Sequence, residues 1–253
     1  MNAESASLKQ NLAQIVGEAH VRPGVIADSI DGVVPKAVVF PQDADEIEQI
    51  LAFAHRNGFT VAPRGGDTQS DLGEPPKSLD IVLSLRRLDQ LVVYEPADMT
   101  ITVQAGMPLA RLQNILRSQG QFLPHDPALP AEATVGGSLS TRQSGPLLGT
   151  FRSLAEHLLG VTFVMPDGKI AKSGGRVVKN VSGYELGRIL TGSLGTLAVI
   201  VEATFKVQPL YETGKCLIAR FPSAEEARKP LSAVLRSHAS PLIAALLGPV
   251  SDS

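Results

Sequence analysis

The sequence predicts a mixed α+β fold: a small βαβ unit first, a larger stretch of interleaved strands and helices next, and a short β-α-β piece at the end. Three observations predict it. Apolar residues recur at helical spacing in some segments and at every second position in others, in alternation along the chain. The strand-like segments are short and end at Gly, Pro or Asp. Eight of the 23 glycines in the 253 residues gather at Gly65-Gly66, Gly136-Gly137, Gly174-Gly175 and Gly192–Gly195, each beside the end of a predicted strand or helix. With 43% hydrophobic and 19% charged residues, the chain has apolar material for a substantial core and is not a disordered polymer.

The elements follow in order. Residues 6–16 carry a helical pattern that Gly17 ends. A short β-branched strand at 37–40 leads through Pro41 into a helix whose first turn is crowded with acidic residues. Ile47, Ile50, Leu51 and Ala54 share one face of that helix, and Gly58 stops it. A strand at 60–62 delivers the chain into PRGGDTQSDLG at 63–73. Strands are predicted at 80–85, 91–96 and 100–106, and a helix runs from 107–109 to Gly120. Residues 124–146 hold too many prolines and glycines for regular structure over most of their length, and so long a connection in a compact chain is either functional or disordered. A hairpin follows, with apolar residues 158–165, a turn at Pro166-Asp167-Gly168 and a return strand from Lys169. A helix at 184–190 and a strong strand at 197–207 complete this part. The end reads as a strand at 216–221, a helix at 223–239 flawed by Pro230, and a strand at 241–248. So small a unit buries too little apolar surface to offset its ordering entropy, and is expected to dock on a neighbour.

Charge and motifs exclude several functions. Lys+Arg 23 against Asp+Glu 25 leaves a net charge of -2, so no basic field gathers nucleic acid or anionic lipid. Cys216 is the only cysteine, which rules out an internal disulfide and a multi-thiolate metal or iron–sulfur site. No apolar run reaches the roughly 18 residues of a membrane span, and the start MNAESASLKQ has no apolar leader. A cytoplasmic protein is expected, with no direct membrane insertion and any membrane association made through partner subunits. The dinucleotide fingerprint, the P-loop and the G-x-S-x-G elbow are absent, which leaves Ser138 and Ser193 as turn serines. The five histidines show no metal-binding spacing. The glycine clusters have two readings: tight turns, or corners where bare backbone amides approach a long anionic ligand.

The stretches PRGGDTQSDLG, PHDPALPAEATVGGSLS and SGGRVVKNVSGYELGRILTGSLGTLAVIVEATFKVQP resemble, in this order, the FAD-binding domain of the vanillyl-alcohol oxidase type, also called PCMH-type. The most specific part is Lys179–Tyr184 followed by Gly192–Leu197. Within the family the resemblance is nearest the E-type flavin subunits of bacterial glycolate oxidases. It implies an α+β, two-lobed domain, with a small βαβ lobe and a larger mixed-sheet lobe, over 34–209. An N-terminal helical segment, 1–33, precedes it, and a truncated β-α-β cap remnant, part of a substrate domain, follows at 210–253. The resemblance further implies that Arg64, Gly65, Gly66, Asp67 and Thr68 form a pyrophosphate loop, with Arg64 adding charge. By the same resemblance Ala133, Thr134, Val135, Gly136, Gly137 and Ser140 form a second loop along the ribityl chain, while Val199, Ile200 and Glu202 contact the cofactor through their main chain. Relatives that tether FAD use a histidine where this chain has Asp67, so noncovalent FAD is expected. The implied function is oxidation of a small 2-hydroxy acid, glycolate to glyoxylate, with electrons passed to a D-type flavin subunit and an iron–sulfur F-type subunit. The alternative is a non-catalytic subunit of the same fold that stabilises the oxidase complex.

Catalytic residues are not identifiable. Arg142 reads as a loop arginine facing solvent or as a fork for a substrate carboxylate. His125 reads as an ordinary histidine or as a base near the flavin. Lys179 neutralises a phosphate or caps a helix, and Tyr184 belongs to the core or touches the flavin.

Overall fold

A computed structural model describes residues 3–175 and 184–248. The first lobe starts with helix α1 (Ala3–Val16), which turns Leu8, Leu12 and Val16 into the core. Strands β1 (Val21–Pro23), β2 (Ala37–Val39), β3 (Val61–Arg64) and β4 (Ile81–Ser84) form a sheet in the order β1-β2-β4-β3. β2, β4 and β3 run parallel, in register Ala37↔Ile81 and Val61↔Ile81, and β1 is antiparallel to β2. The N-terminal segment thus supplies a helix and an edge strand to this lobe. All of β4 is buried, as a central parallel strand covered on both faces requires. Ala37, Val39, Ile81 and Leu83 belong to the large core, while Val38, Leu79 and Val82 form a smaller one under Ile30 and Val33.

Helix α2 (Ala44–Asn57) links β2 to β3. The Asp43 carboxylate accepts from the Glu46 amide at 2.8 Å, and the left-handed Gly58 (φ 69°) ends the helix. Its buried residues are Ile47, Ile50, Leu51 and Ala54, the face expected from spacing.

The second lobe is a five-stranded antiparallel sheet. Its strands are β5 (Leu91–Glu95), β6 (Thr100–Gln104), β8 (Leu158–Val164), β9 (Ile170–Gly174) and β10 (Val199–Lys206), in the order β5-β6-β10-β8-β9; the short β7 (Gln121–Phe122) pairs separately with β11 (Gln208–Pro209). Helix α3 (Leu109–Arg117) buries Leu109, Leu112 and Leu116. One apolar cluster runs through both lobes, from Leu8, Ile50 and Leu51 to Val103, Phe163, Val164 and Phe205.

Two expectations are corrected. The segment 124–146 contains a helix, α4 (Val135–Thr141), capped by Thr134, so Gly136 and Gly137 sit in a helical turn rather than in a loop. Short helices α5 (Leu148–Phe151) and α6 (Leu154–His157) follow, and α7 (Tyr184–Leu190) lies where expected. At the C-terminal end only the helix of the predicted β-α-β forms, as α8 (Ala224–Leu235), with Ala227 its buried residue. The apolar residues at 216–221 and 241–248 meet no neighbouring strand in the described chain, and a strand without a partner lacks the ladder that holds it extended. Leu217 and Leu247 are accordingly 89% and 91% exposed. This segment touches the second lobe where the Thr150 hydroxyl donates to the Leu242 carbonyl at 2.6 Å and where the Tyr211 and Phe122 rings meet.

Candidate functional site

Three of the four glycine clusters converge where the lobes meet. The chain leaves β3 at Arg64 and turns directly against the segment that enters α4. A Cβ on Gly65 would strike the Thr134 hydroxyl, and one on Gly66 would strike the Glu132 carbonyl oxygen. The third corner closes on the first two: the Gly192 amide donates to the Leu139 carbonyl at 3.0 Å and the Leu194 amide to the Ser140 carbonyl at 2.8 Å. Gly195, at φ 73°, lies so close to Pro63 that a Cβ would sit 2.6 Å from its ring. Beside this junction a crevice of about 200 Å³ opens between the lobes, with Leu51, Phe59 and Pro63 on one wall and Thr196, Ala198 and Val199 on the other. The fourth cluster is elsewhere: Gly174 ends β9 against the Leu159 carbonyl. Of the most specific part of the sequence, Lys179–Tyr184 followed by Gly192–Leu197, the run Lys179–Gly183 lies outside the described residues, as does any role for Lys179.

The two glycine corners differ in what their amides do. Among the described residues, the amides of Gly66, Asp67 and Thr68 donate to no protein oxygen. In the first turn of α4, by contrast, Val135 donates to the Met107 carbonyl at 3.0 Å, Gly136 to the Ala105 carbonyl at 2.7 Å and Gly137 to the Thr134 hydroxyl at 3.3 Å. Ala133 and Thr134 are buried, Ser140 is half-buried, and the buried Ser138 hydroxyl has no partner among the described residues. Free donors at a turn where Gly66 has no room for a Cβ are suited to a diphosphate.

On β10, Val199 forms part of the crevice wall. Val199 and Ile200 pair with Val164 and Phe163 of β8, whereas pairing with β6 begins only at Glu202↔Gln104, past a bulge. One main-chain edge of Val199 and Ile200 is therefore not taken up by β6. Glu202, half-buried, accepts from the Thr162 hydroxyl at 3.4 Å.

Arg64 is engaged by protein groups. Its Nη2 donates to the Asp28 carbonyl at 2.7 Å, its Nη1 lies 3.9 Å from the Asp28 carboxylate, and its Nε is 3.3 Å from Asp67 Oδ1 without the alignment of a hydrogen bond. Asp28 is gripped on its other side by Arg22, at 2.5 and 2.6 Å, and by the Val25 amide at 3.0 Å. The Arg22 hydrogen bonds hold the Asp28 carboxyl below the usual carboxylate range against the opposing pull of burial.

His125 sits before α4 and is 5% exposed. Burial, helped by His157, pushes its pKa down to about 4, and its Nε2 has no partner among the described residues. It is neutral at pH 7 and a weak base there. His157 bonds the Phe151 carbonyl at 2.9 Å and is likewise pushed down by burial. Asp126, pushed up by burial, accepts from the Leu147 amide at 3.1 Å and ties the segment after α4 to the segment before it. Arg142 is the exposed, left-handed cap of α4 (φ 52°) and lies against Gly192. Sequence reasoning missed Pro63 and Thr196 as crevice walls; the signal present was their adjacency to Arg64-Gly65-Gly66 and to Gly195.

Comparison with known proteins shows the family. Residues 35–174 match the FAD binding domain family. The chain is 30% identical over 243 residues to glycolate oxidase subunit GlcD of Bacillus subtilis, covering 92% of this chain and 52% of that protein. It is 31% identical to a D-2-hydroxyglutarate dehydrogenase of Xanthomonas citri pv. viticola (75% and 40% covered) and 34% identical to a D-lactate dehydrogenase of Archaeoglobus fulgidus (81% and 47%). The chain thus spans about half the length of these relatives. Among solved structures, an alkyldihydroxyacetonephosphate synthase superposes with a TM-score of 0.69 at 21% identity, covering 82% of this chain and 41% of that one, which shows a shared fold.

Proposed function

We propose, from the premise that this chain belongs to the FAD binding domain family, that it holds FAD noncovalently within an oxidoreductase acting on a small 2-hydroxy acid. The observation that carries this reading is the turn at Gly66, Asp67 and Thr68, whose amides have no acceptor among the described residues and where Gly66 has no room for a Cβ. In it, these amides hold the diphosphate, and Thr134 and Ser140 line the ribityl side. Gly136 and Gly137 shape α4 there, and Val199, Ile200 and Glu202 border the cofactor along β10. The redox chemistry is that of FAD when bound; the chain's own residues bind and orient it and exclude water. Attachment is noncovalent because Asp67 stands at the loop and Cys216 is exposed.

Glycolate is the substrate of choice, and the assignment as an E-type subunit working in the cytoplasm with a D-type flavin subunit and an iron–sulfur subunit follows from the same resemblance. Residues 34–209 are the flavin unit and 210–253 the start of a substrate domain. A second reading, a subunit that carries the flavin without turning over substrate, is favoured by residues 210–248, which form one exposed helix and no sheet. Mixing the flavin-loaded protein anaerobically with glycolate, D-lactate or D-2-hydroxyglutarate decides between them. Bleaching of the flavin absorbance by one of these acids supports the oxidoreductase; no bleaching, alone or with partner subunits, leaves the second reading.

A further inference from the structure

We infer that Arg64 is a positioning residue for the diphosphate turn, not a phosphate ligand: it neutralises Asp67 and ties the turn to the N-terminal segment. The inference rests on the placement of FAD proposed above. Four charges alternate in a line, Arg22, Asp28, Arg64 and Asp67, running from β1 to the glycine turn. Arg64 is nine-tenths buried within it, its Nη2 donates to the carbonyls of Asp28 and Ser29, and its Nε forms an ion pair with the Asp67 carboxylate at 3.3 Å without a hydrogen bond. Its charge is therefore spent on protein acceptors.

Asp67 explains why a charge is needed there. It occupies the turn itself, in a left-handed conformation (φ 67°), with its carboxylate also accepting from the Ser70 hydroxyl. A carboxylate beside a site for two phosphates repels the ligand unless a cation compensates it. Asp tolerates the left-handed backbone, as does Asn, so the charge of Asp67 can be removed without straining the turn. Asp28, fixed by Arg22 and by the Val25 amide, is the immobile end of the strut.

The test is a titration of the full-length apoprotein with FAD, and with riboflavin as a probe lacking the diphosphate, at low and high salt. Thermal unfolding of each variant checks the fold. Arg64→Met is expected to weaken FAD binding by about 10- to 100-fold, as it leaves the Asp67 carboxylate uncompensated beside the diphosphate. Riboflavin binding stays unchanged, the loss shrinks at high salt, and Asp67→Asn added to Arg64→Met restores most of the affinity. If Arg64→Met does not fold, Arg64→Gln with and without Asp67→Asn reads the same rescue. The inference is overturned if Asp67→Asn fails to rescue, or if salt weakens FAD binding to the wild type and Arg64→Met abolishes that dependence, the signature of a direct phosphate contact. A wild-type protein that binds no FAD at all overturns the proposed function and this inference with it; binding without rescue overturns only the inference.

Discussion

The turn at 65–68 and the first turn of α4 are both rich in glycine and lie against one another, yet they spend their backbone donors differently. At 66–68 the amides have no acceptor among the described residues; at 135–137 each is already bonded, to Met107, Ala105 or Thr134. In the first corner glycine clears space for donors and for contact with Glu132 and Thr134. In the second it lets a helix lie on Ala105, where a Cβ at Gly136 would sit 2.8 Å from the Ala105 methyl. The lesson is that a glycine pair identifies a close approach without saying whether a ligand or the protein itself is being approached.

The largest expected effect tests the first corner. Gly66→Val places atoms on the Glu132 carbonyl and moves the turn, so the protein is expected to purify without flavin while far-ultraviolet circular dichroism stays near wild type; stoichiometric FAD in a folded Gly66→Val protein would remove the distinction between the corners. Acid is expected to act on the α4 side, because the buried His125 precedes that helix. With its native pKa at about 4 against 6.5 unfolded, His125 contributes its full stabilisation above pH 6.5. That contribution falls away as pH drops towards 4, by about 3 kcal/mol in all. Denaturant titrations between pH 7 and 4 are expected to show a shallower loss in His125→Gln than in the wild type.

Gly136→Val is expected to destabilise the fold by roughly 1–3 kcal/mol through overpacking against Ala105, with FAD affinity of the folded fraction largely kept. Chemical denaturation and flavin titration of the same sample separate the two quantities. Thr134→Ala, which removes the α4 cap, is expected to cost about 1 kcal/mol, with Thr134→Ser near neutral. A large loss of flavin in Thr134→Ser would point to a ligand contact by the methyl group rather than to capping.

Much of the fold was legible because local signals agreed. The second helix announced itself by Asp43, by the spacing of Ile47, Ile50, Leu51 and Ala54, and by Gly58; the hairpin over 158–174 did so by its turn at Pro166-Asp167-Gly168. The helix at 135–141 was hidden because two glycines with poor helix propensity fill its first turn, although Thr134 ahead of Val135 and Leu139 was a readable cap. The strand pattern at 216–221 and 241–248 misled because alternation records a side chain's preference for a sheet, not the presence of a neighbour to pair with. Within the site, the glycine corners were readable and their convergence was not. The pairing of Arg64 was least legible of all, since its partner Asp28 lies 36 residues earlier and only the folded sheet brings them together.

The single apolar cluster that joins Ile50 and Leu51 to Val164 and Phe163 has a consequence for traffic through the crevice. Swivelling the lobes apart would drag that shared oil into water, so the slot keeps a nearly fixed width. Opening that parts the lobes is therefore the costly motion in this fold.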